Sequence, residues 1–512
     1  MNKAVAVSFE TATVINKKFN MRFRFFLLLL LIPALTFSQG RNNFWLSGYN
    51  DSGTGTLFGT TNIDFNFPVP FIYKQNRPMN FFQTFSSMSD TSGNLLFYTN
   101  GVYVSNQNDD TLYNGNNFNS GALTDAYETS GLTIPQGTLI IPSPNSNTQY
   151  YLFSLSAEPV TNSVQPVRLT CSLLDMNLDG GLGGLIWKDS TIINDTLSFG
   201  LLTACKHGNG RDWWISISQY QTGCIYQLLI TPSGISSPAL QCIGQPTGDS
   251  DGNGQAVYSP DGNKFAIYDT YNYLQICDFD RCTGIYSNPL FMQINDTSIA
   301  GGAAFAPGSH YLYASSTNYI YQFDMLASNI LNSKTTIATF DGFTDSVPPF
   351  YTYFYLSQLA PDGKIYLNTL NGSHYLHVIN QPDSAGTLCD VQQHSITLPT
   401  YNRFTIPNFP NYSLSNWQGS VCDSLQVGIE QYDILQHEIL IYPNPAKDKL
   451  FIKTSNVKEN TFYLMNAIGQ ILLILKNQTT YTSIDLSQFP KGIYLLKYQN
   501  DKMTVTKKIA KQ

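Results

Sequence analysis

Positively charged residues are scarce in most of this 512-residue chain. Residues 39–437 contain 12 Lys and Arg against 29 Asp and Glu, which gives a net charge of −17. Nucleic acid is a dense polyanion that binds basic surfaces, so this composition argues against a nucleic-acid partner. The same composition makes cations plausible ligands.

Apolar runs long enough to cross a membrane are also missing. The run from Phe25 to Leu35 has 11 residues, whereas a membrane-spanning helix needs roughly 20. It follows the basic segment 21–24 and precedes the small-residue segment 36–38, which is the arrangement of a secretory signal peptide. We expect residues 1–38 to be this signal peptide, with translation starting at Met21. No transmembrane helix is expected in the mature protein.

Sequence signals for catalysis are few. The chain contains no H-E-x-x-H metal motif. Only three of the 29 acids in residues 39–437 are glutamates, namely Glu128, Glu158 and Glu430. Glycosidases commonly use a pair of Asp or Glu carboxylates. The sequence therefore favours a non-enzymatic protein, and a polysaccharide hydrolase with paired carboxylates on one face of the fold remains the alternative.

The composition changes abruptly at residue 438. The last 75 residues hold 11 Lys against five acids, a net charge of +6. Such a break predicts a domain boundary, here preceded by a linker at 421–437. Strand-length apolar segments alternate with Asn, Gly, Pro and Ser turns in this tail. This pattern predicts a small immunoglobulin-like β-sandwich at 438–512.

Several short motifs of the tail occur in a fixed order. They comprise Tyr442, Pro443, Asn444 and Pro445 at the first strand, Gly469 in a central turn, and Lys491, Gly492 and Tyr494 before a basic end. The ordered set resembles the type A C-terminal sorting domain of the type IX secretion system of Bacteroidetes-type bacteria.

This resemblance implies that the type IX secretion machinery recognises the tail and usually removes it or exchanges it for a surface anchor. The protein is then expected to be secreted, extracellular or held at the outer-membrane surface. A carbohydrate-binding or adhesive β-sandwich is the alternative interpretation of the same residues.

A repeated turn divides residues 39–420. Segments 258–268, 305–314 and 359–368 share an apolar residue, Ser or Ala, Pro, a Gly turn and an alternating strand, and weaker copies have turns near 93, 146 and 209. Successive turns are 46 to 63 residues apart. This spacing predicts a β-propeller of about seven blades, with a chain of separate sandwiches as the alternative. The strand Phe44–Gly48 is expected to complete a last blade that begins near 403–412.

The Ser/Ala-Pro-Asp-Gly turn resembles the blades of WD40-like, Tol-B-type propellers, although recurrent Trp-Asp blade endings are absent. Segments 93–101, 204–214 and 407–412 also resemble a set of secreted Bacteroidetes proteins of unassigned function. These resemblances imply a propeller fold, and they imply no particular activity.

Two Asp- and Asn-rich stretches have the spacing of calcium ligands. Their candidate ligands are Asp175, Asn177, Asp179, Asp249, Asp251 and Asn253. A complete EF-hand-type loop has a bidentate acid at its twelfth place, where this chain has Ile186 and Pro260. Calcium is therefore one interpretation, and Asx turns at blade corners are the other.

Eight cysteines remain after removal of the signal peptide, an even number in a compartment that permits disulfides. Cys277 and Cys282 flank a predicted strand end and form the first predicted pair. Cys389 and Cys422 bracket the last blade and form the second. The pairing of the other four cysteines stays open, and no C-x-x-C spacing predicts a zinc site.

Aromatic residues make up 13% of the chain. Trp213 and Trp214 are adjacent, so alternation along a strand directs one of them away from the core, where it could stack on a sugar ring. In the alternative, both wedge between blades. The leading hypothesis is a secreted propeller that binds glycan or surface protein, with a polysaccharide hydrolase or a purely structural or adhesive protein as alternatives.

Overall fold

A computed structural model describes residues 40–50, 57–161, 163–248, 254–345, 349–423, 439–454, 460–466, 470–477, 479–499 and 504–512. The chain divides into two compact units, residues 1–424 and 425–512. The division falls inside the predicted linker 421–437. The predicted signal peptide lies outside the described residues.

Seven antiparallel sheets make up the described part of the first unit. The first four are β1–β3 (Phe44–Gly48, Thr60–Asp64, Phe71–Gln75), β4–β6 (Ser86–Ser89, Leu95–Thr99, Val104–Asn106), β7–β10 (Thr138–Pro142, Gln149–Val160, Ser163–Asp175, Gly184–Asn194) and β11–β15 (Thr203–Lys206, Trp213–Ser218, Cys224–Thr231, Gly234–Ile235, Ala239–Cys242). The last three are β16–β19 (Gly254–Tyr258, Lys264–Asp269, Leu274–Asp280, Ile285–Met292), β20–β23 (Gly301–Phe305, Tyr311–Ser316, Tyr319–Asp324, Thr335–Thr339) and β24–β27 (Phe354–Leu359, Ile365–Thr369, Ser373–Ile379, Val391–Asn402). Strands follow chain order within each sheet, except that β13 pairs with both β14 and β15.

All six recurring turns occupy the same place in their sheets. The turns near 93, 146, 209, 262, 308 and 363 each join the first strand of a sheet to its second strand. The remaining sheet is β1–β3, in which Phe44 pairs with Asp64 and Gly48 with Thr60. The expectation that Phe44–Gly48 completes a blade begun near 403–412 is therefore wrong, because this strand starts a sheet of its own.

The first strands of neighbouring sheets lie side by side. β1 contacts β4, β4 contacts β7, β11 contacts β16, β16 contacts β20, and β20 contacts β24. The last sheet returns to the first, since β27 lies against β1, β2 and β3, and the hydroxyls of Thr61 and Thr400 are 2.6 Å apart. Seven meandering sheets packed in chain order, with the last against the first, have the architecture of a β-propeller, and this confirms the predicted fold.

The segment after the last sheet, residues 403–412, joins the first strands instead of forming a strand. Pro407 and Pro410 lack N–H donors, which disfavours a ladder here. Asn408 donates through Nδ2 to the carbonyls of Thr138 and Leu202, 2.9 Å away in each case. The segment thus connects sheets that are distant in sequence.

Helices are few among the described residues. One short α-helix, α1, spans Ala122–Ala126, and single 3₁₀ turns occur at Gly40–Asn42, Asp179–Gly181, Leu331–Ser333 and Gly386–Cys389. None of these described helices is long and apolar enough to span a membrane.

The second unit is a small β-sandwich, as predicted. One sheet has the order β28-β29-β32 and the other the order β31-β30-β33-β34. Their bounds are β28 Ile439–Tyr442, β29 Lys449–Thr454, β30 Asn460–Asn466, β31 Ile471–Asn477, β32 Tyr481–Asp485, β33 Gly492–Gln499 and β34 Thr504–Lys511. Apolar side chains of both sheets, including Leu450, Ile452, Leu464 and Leu496, form one buried core between them.

Candidate functional site

A cavity of about 640 Å³ lies at one end of the propeller axis. Its wall follows the ends of the first strands β11, β16, β20 and β24 and the turns after them. Pro260, Pro307 and Pro361 of the three plainest repeat copies all line it. The volume falls within the roughly 300–1,000 Å³ usual for small-molecule sites. The sequence repeat therefore builds both the blades and this wall.

The segment after β27 forms the remaining wall, through residues 408–411 and 413–415. Asn408 is buried, and its Oδ1 accepts a hydrogen bond of 3.1 Å from Nε2 of Gln136. The same Gln136 amide donates to the carbonyl of Ala256 at 2.9 Å. These buried side-chain amides hold the wall in place, because each lost bond would leave a desolvated polar group unpaired.

The lining combines small polar groups with apolar surface. Its hydroxyl and amide side chains belong to Asn42, Gln136, Thr203, Tyr258, Ser259, Ser357, Gln358, Asn408, Asn411, Ser413 and Ser415. Phe305, Phe409 and the three prolines supply apolar surface. None of the described residues that line the cavity is Asp or Glu. The lining therefore offers no pair of carboxylates for glycoside cleavage.

Lys206, at the end of β11, is the charged residue of this lining. Its Nζ donates to the carbonyl oxygen of Tyr412 at 2.8 Å and lies 5.4 Å from the ring centroid of Trp213. The pKa of Lys206 is lowered to about 8, mainly by burial and to a smaller extent by the positive charges of Arg41 and Arg281. Among the described residues, no ion pair includes Lys206.

Arg281 fixes the backbone beside Lys206. Its guanidinium donates to the carbonyls of Lys206 at 3.0 Å and of His207 at 3.3 Å, and also to the carbonyl of Ser415. Guanidinium groups donate in several directions at once, which suits such a junction. Arg281 thereby ties β11 to the segment after β27.

The structure corrects both predicted disulfides. Cys282 is bonded to Cys422, which joins the β18–β19 turn to the segment after β27. Cys277 and Cys389 are buried and not disulfide-bonded. The prediction failed because it paired cysteines that are close in sequence or bracket a blade, whereas the propeller brings residues 140 positions apart together.

A second disulfide joins Cys224 to Cys242 across the paired strands β13 and β15. Cys171 and Cys205 are buried and, like Cys277, outside any disulfide. Burial raises the pKa of the Cys205 thiol to about 12, so this group is protonated at neutral pH.

The tryptophan pair does not offer a stacking surface. Trp213 is 1% exposed and Trp214 is 8% exposed. Trp213 packs edge-on against Tyr412, and the indole N–H of Trp214 donates to the carbonyl of Arg281 at 2.8 Å. The predicted sugar contact at these residues is therefore wrong, and the alternative in which both wedge into the fold describes them.

The first predicted calcium loop is an Asx turn. Oδ1 of Asp175 accepts the N–H of Asn177 at 2.9 Å, and Oδ2 accepts from the side chain of Gln149 at 3.1 Å. Asp179 begins a 3₁₀ turn. Within the described ranges, no group of three or more His, Cys, Asp or Glu residues is placed to hold a metal ion.

The second predicted loop, with Asp249, Asp251 and Asn253, lies outside the described residues. Residues 248–252 also have the G-x-S-x-G spacing of a nucleophile elbow. Such an elbow turns from a strand into a helix, whereas β16 begins at Gly254.

The tail motif residues lie around the ends of the sandwich. The Asn444 side chain donates to the carbonyl of Lys508 at 2.8 Å and accepts the N–H of Ala510 at 2.9 Å, which fixes the start of the unit to its last strand. The buried Tyr494 donates its hydroxyl to the carbonyl of Pro490 at 2.6 Å. Tyr442 packs against Phe451, with ring centroids 5.9 Å apart. Gly469 lies outside the described residues.

Comparison with known families decides the nature of this unit. The family described as the secretion system C-terminal sorting domain matches residues 440–512. The tail is a type IX secretion sorting domain. The protein that carries this sorting domain is accordingly secreted or displayed at the cell surface.

Solved structures resemble the chain at low identity. A candidate 6-phosphogluconolactonase from Bacteroides uniformis is 12% identical, with 86% of this chain and 96% of that chain covered and a TM-score of 0.37. A periplasmic gluconolactonase from Pseudomonas aeruginosa is 9% identical, with coverages of 70% and 97% and a TM-score of 0.37. PorZ, a surface component of the type IX secretion system of Porphyromonas gingivalis, is 10% identical, with coverages of 89% and 73% and a TM-score of 0.29.

Likeness at this level carries no argument about function. A comparison with curated proteins finds no match.

Sequence reasoning missed Lys206 and Asn408. Lys206 belongs to the 204–214 segment, and Asn408 lies between two prolines in 407–412. Neither stands in a motif that predicts a role, because each has a hydrogen-bond partner far away in the chain, 206 residues for Lys206 and 270 for Asn408. The scarcity of Lys in residues 39–437 was the one available signal for Lys206.

Proposed function

We propose that the protein is a non-enzymatic binding module which the sorting domain delivers to the cell exterior and which holds the end of a glycan in the axial cavity. The observation that carries the proposal is the cavity itself. It has the volume of a small-molecule site and a lining of hydroxyl and amide groups beside Pro and Phe surface. Sugars present hydroxyl groups at their edges and apolar C–H faces, and this lining complements both.

The composition of the cavity favours binding over hydrolysis. Hydrolysis by paired carboxylates needs two acids about 5–10 Å apart at the scissile bond. The described lining has none. The protein-binding alternative is less well supported, because the polar groups are gathered in a concave site and not spread over a flat surface.

A variant that narrows the cavity tests the proposal. Ser413 lines the cavity and is exposed, so Ser413→Trp adds bulk there at little cost to the core. We expect this variant to lose binding in a glycan screen of the exported protein. The matched control is Ser237→Trp, which adds the same bulk to an exposed serine between β14 and β15.

The expected result is loss of glycan binding in Ser413→Trp, with wild-type binding in Ser237→Trp and equal melting temperatures. Glycan binding that survives in Ser413→Trp would place the binding surface outside the cavity and contradict the proposal.

A further inference from the structure

We infer that the ligand of the axial cavity is an acidic sugar whose carboxylate pairs with the ammonium group of Lys206. This inference rests on the proposed function, and it names the chemical class of the ligand. Three observations support it: the isolation of Lys206 from acids, the positive groups around it, and the neutral polar character of the rest of the wall.

The first observation is the isolation of Lys206. A largely buried ammonium group is costly unless an anion or several hydrogen bonds compensate for its lost hydration. Within the described residues, its ammonium group donates to the neutral carbonyl of Tyr412. An ammonium group carries three donors, so further donors can serve a ligand. No described ion pair includes Lys206, although residues 39–437 have a net charge of −17.

The second observation is the sign of the surrounding charge. Arg41 and Arg281 are close enough to Lys206 to disfavour its charged form. The carboxylate of Asp261 raises the pKa of Arg281, but burial lowers that pKa by more. Arg41 and Arg281 thus add positive charge near Lys206 in a unit that is acidic overall, and this charge favours an incoming carboxylate.

The third observation is the chemistry of the remaining wall. Ser413, Asn411 and Gln358 can donate to and accept from sugar hydroxyls, while Pro307 and Pro361 offer apolar surface. An acidic peptide would supply the carboxylate, but it has few side-chain hydrogen-bonding groups to pair with the many hydroxyls and amides of the wall. The wall therefore favours a uronic acid over an acidic peptide.

Calorimetric titration of the exported protein tests the inference. The probes are galacturonic acid and glucuronic acid, their neutral counterparts galactose and glucose, and an acetylated Asp-Asp dipeptide amide. We expect at least one uronic acid to bind more tightly than its neutral counterpart. Lys206→Met should weaken that binding by at least about tenfold, since a hydrogen bond to a charged group is lost.

Lys188→Met is the matched control. Lys188 is half-buried and also donates to backbone carbonyls, those of Asn114 and Asn116, but it does not line the cavity. We expect wild-type affinity for uronic acid in this variant. Raised salt should weaken uronic acid binding in the wild type and leave neutral sugar binding unchanged.

Other outcomes overturn the inference. Equal binding of each uronic acid and its neutral counterpart, unchanged uronic acid binding in Lys206→Met, or binding of the dipeptide alone would each exclude an acidic sugar held by Lys206. Absence of binding by both uronic acids would do the same. The proposed function fails separately, when Ser413→Trp keeps the glycan binding of the wild type.

Discussion

Lys206 illustrates how a binding residue can oppose the stability of its own fold. Burial favours the neutral amine, and Arg41 and Arg281 add repulsion, so the folded protein holds the charged form at a cost. An apolar side chain of similar length would avoid that cost. Lys206 weakens the fold and lines the axial cavity, so a functional role explains it better than a structural role.

We predict that Lys206→Met leaves the protein at least as stable as the wild type at pH 7, with a gain of about 2 kcal/mol in the free energy of unfolding. The gain comes from removing the free-energy cost that the lowered pKa of Lys206 represents. The loss of the hydrogen bond to Tyr412 reduces that gain. Urea unfolding of both proteins at pH 7 measures the difference. A clear loss of stability in Lys206→Met would show that the ammonium group stabilises the fold.

The pH dependence of that difference has a definite sign. The pKa of Lys206 is about 8 in the folded chain against an ordinary value of 10.5. Between these values the unfolded chain binds more protons, so the free energy of unfolding of the wild type rises with pH relative to Lys206→Met. The gap between the two proteins should therefore be largest below pH 8 and narrow toward pH 10.5. A gap that stays constant over this range would contradict the lowered pKa.

At the scale of secondary-structure elements, the segment after β27 connects the cavity to the rest of the propeller. Asn408 bonds to Thr138 in β7 and to Leu202, which directly precedes β11. The backbone N–H of Trp417 donates to the carbonyl of Gly208 at 2.7 Å, and the Cys282–Cys422 disulfide holds the segment's end. The cavity wall at 408–415 depends on these attachments.

The two disulfides should differ in their effect on binding. Removing Cys282–Cys422 by a double Cys→Ala substitution should lower the free energy of unfolding by about 2–5 kcal/mol and weaken glycan binding, because the cavity wall is released. Removing Cys224–Cys242 should lower stability by a similar amount but preserve binding, since this bond joins β13 to β15 and does not attach the segment that forms the wall. Chemical denaturation and glycan titration of both variants check this. Equal binding by both would show that the disulfide does not support the wall.

The sequence predicts local elements of this fold better than distant contacts. The Pro-Gly turns predict the blades because each turn sets its hairpin without help from the rest of the chain. The course of residues 403–412, the Cys282–Cys422 bond and the surroundings of Lys206 depend on where seven sheets meet, so residue spacing could not reveal them. Strand alternation predicted that either Trp213 or Trp214 points outward. The strand that contains them, β12, is instead buried on both faces, because it lies between neighbouring blades.

At the scale of the whole molecule, the chain is an acidic propeller followed by a basic sorting domain. The net charge of residues 39–437 is −17 and that of the last 75 residues is +6. The sorting domain has its own core and forms a separate compact unit. This separation suits a division of work in which the tail directs export and the propeller acts outside the cell.

The most direct test is mass spectrometry of culture medium and outer-membrane fractions from the native host. One strain expresses the full chain, and the other expresses a chain truncated before residue 438. We predict that the full chain reaches the exterior and is found there without its tail, while the truncated chain stays in the periplasm. Export of both chains alike, or an intact tail on the mature exterior protein, would contradict the account.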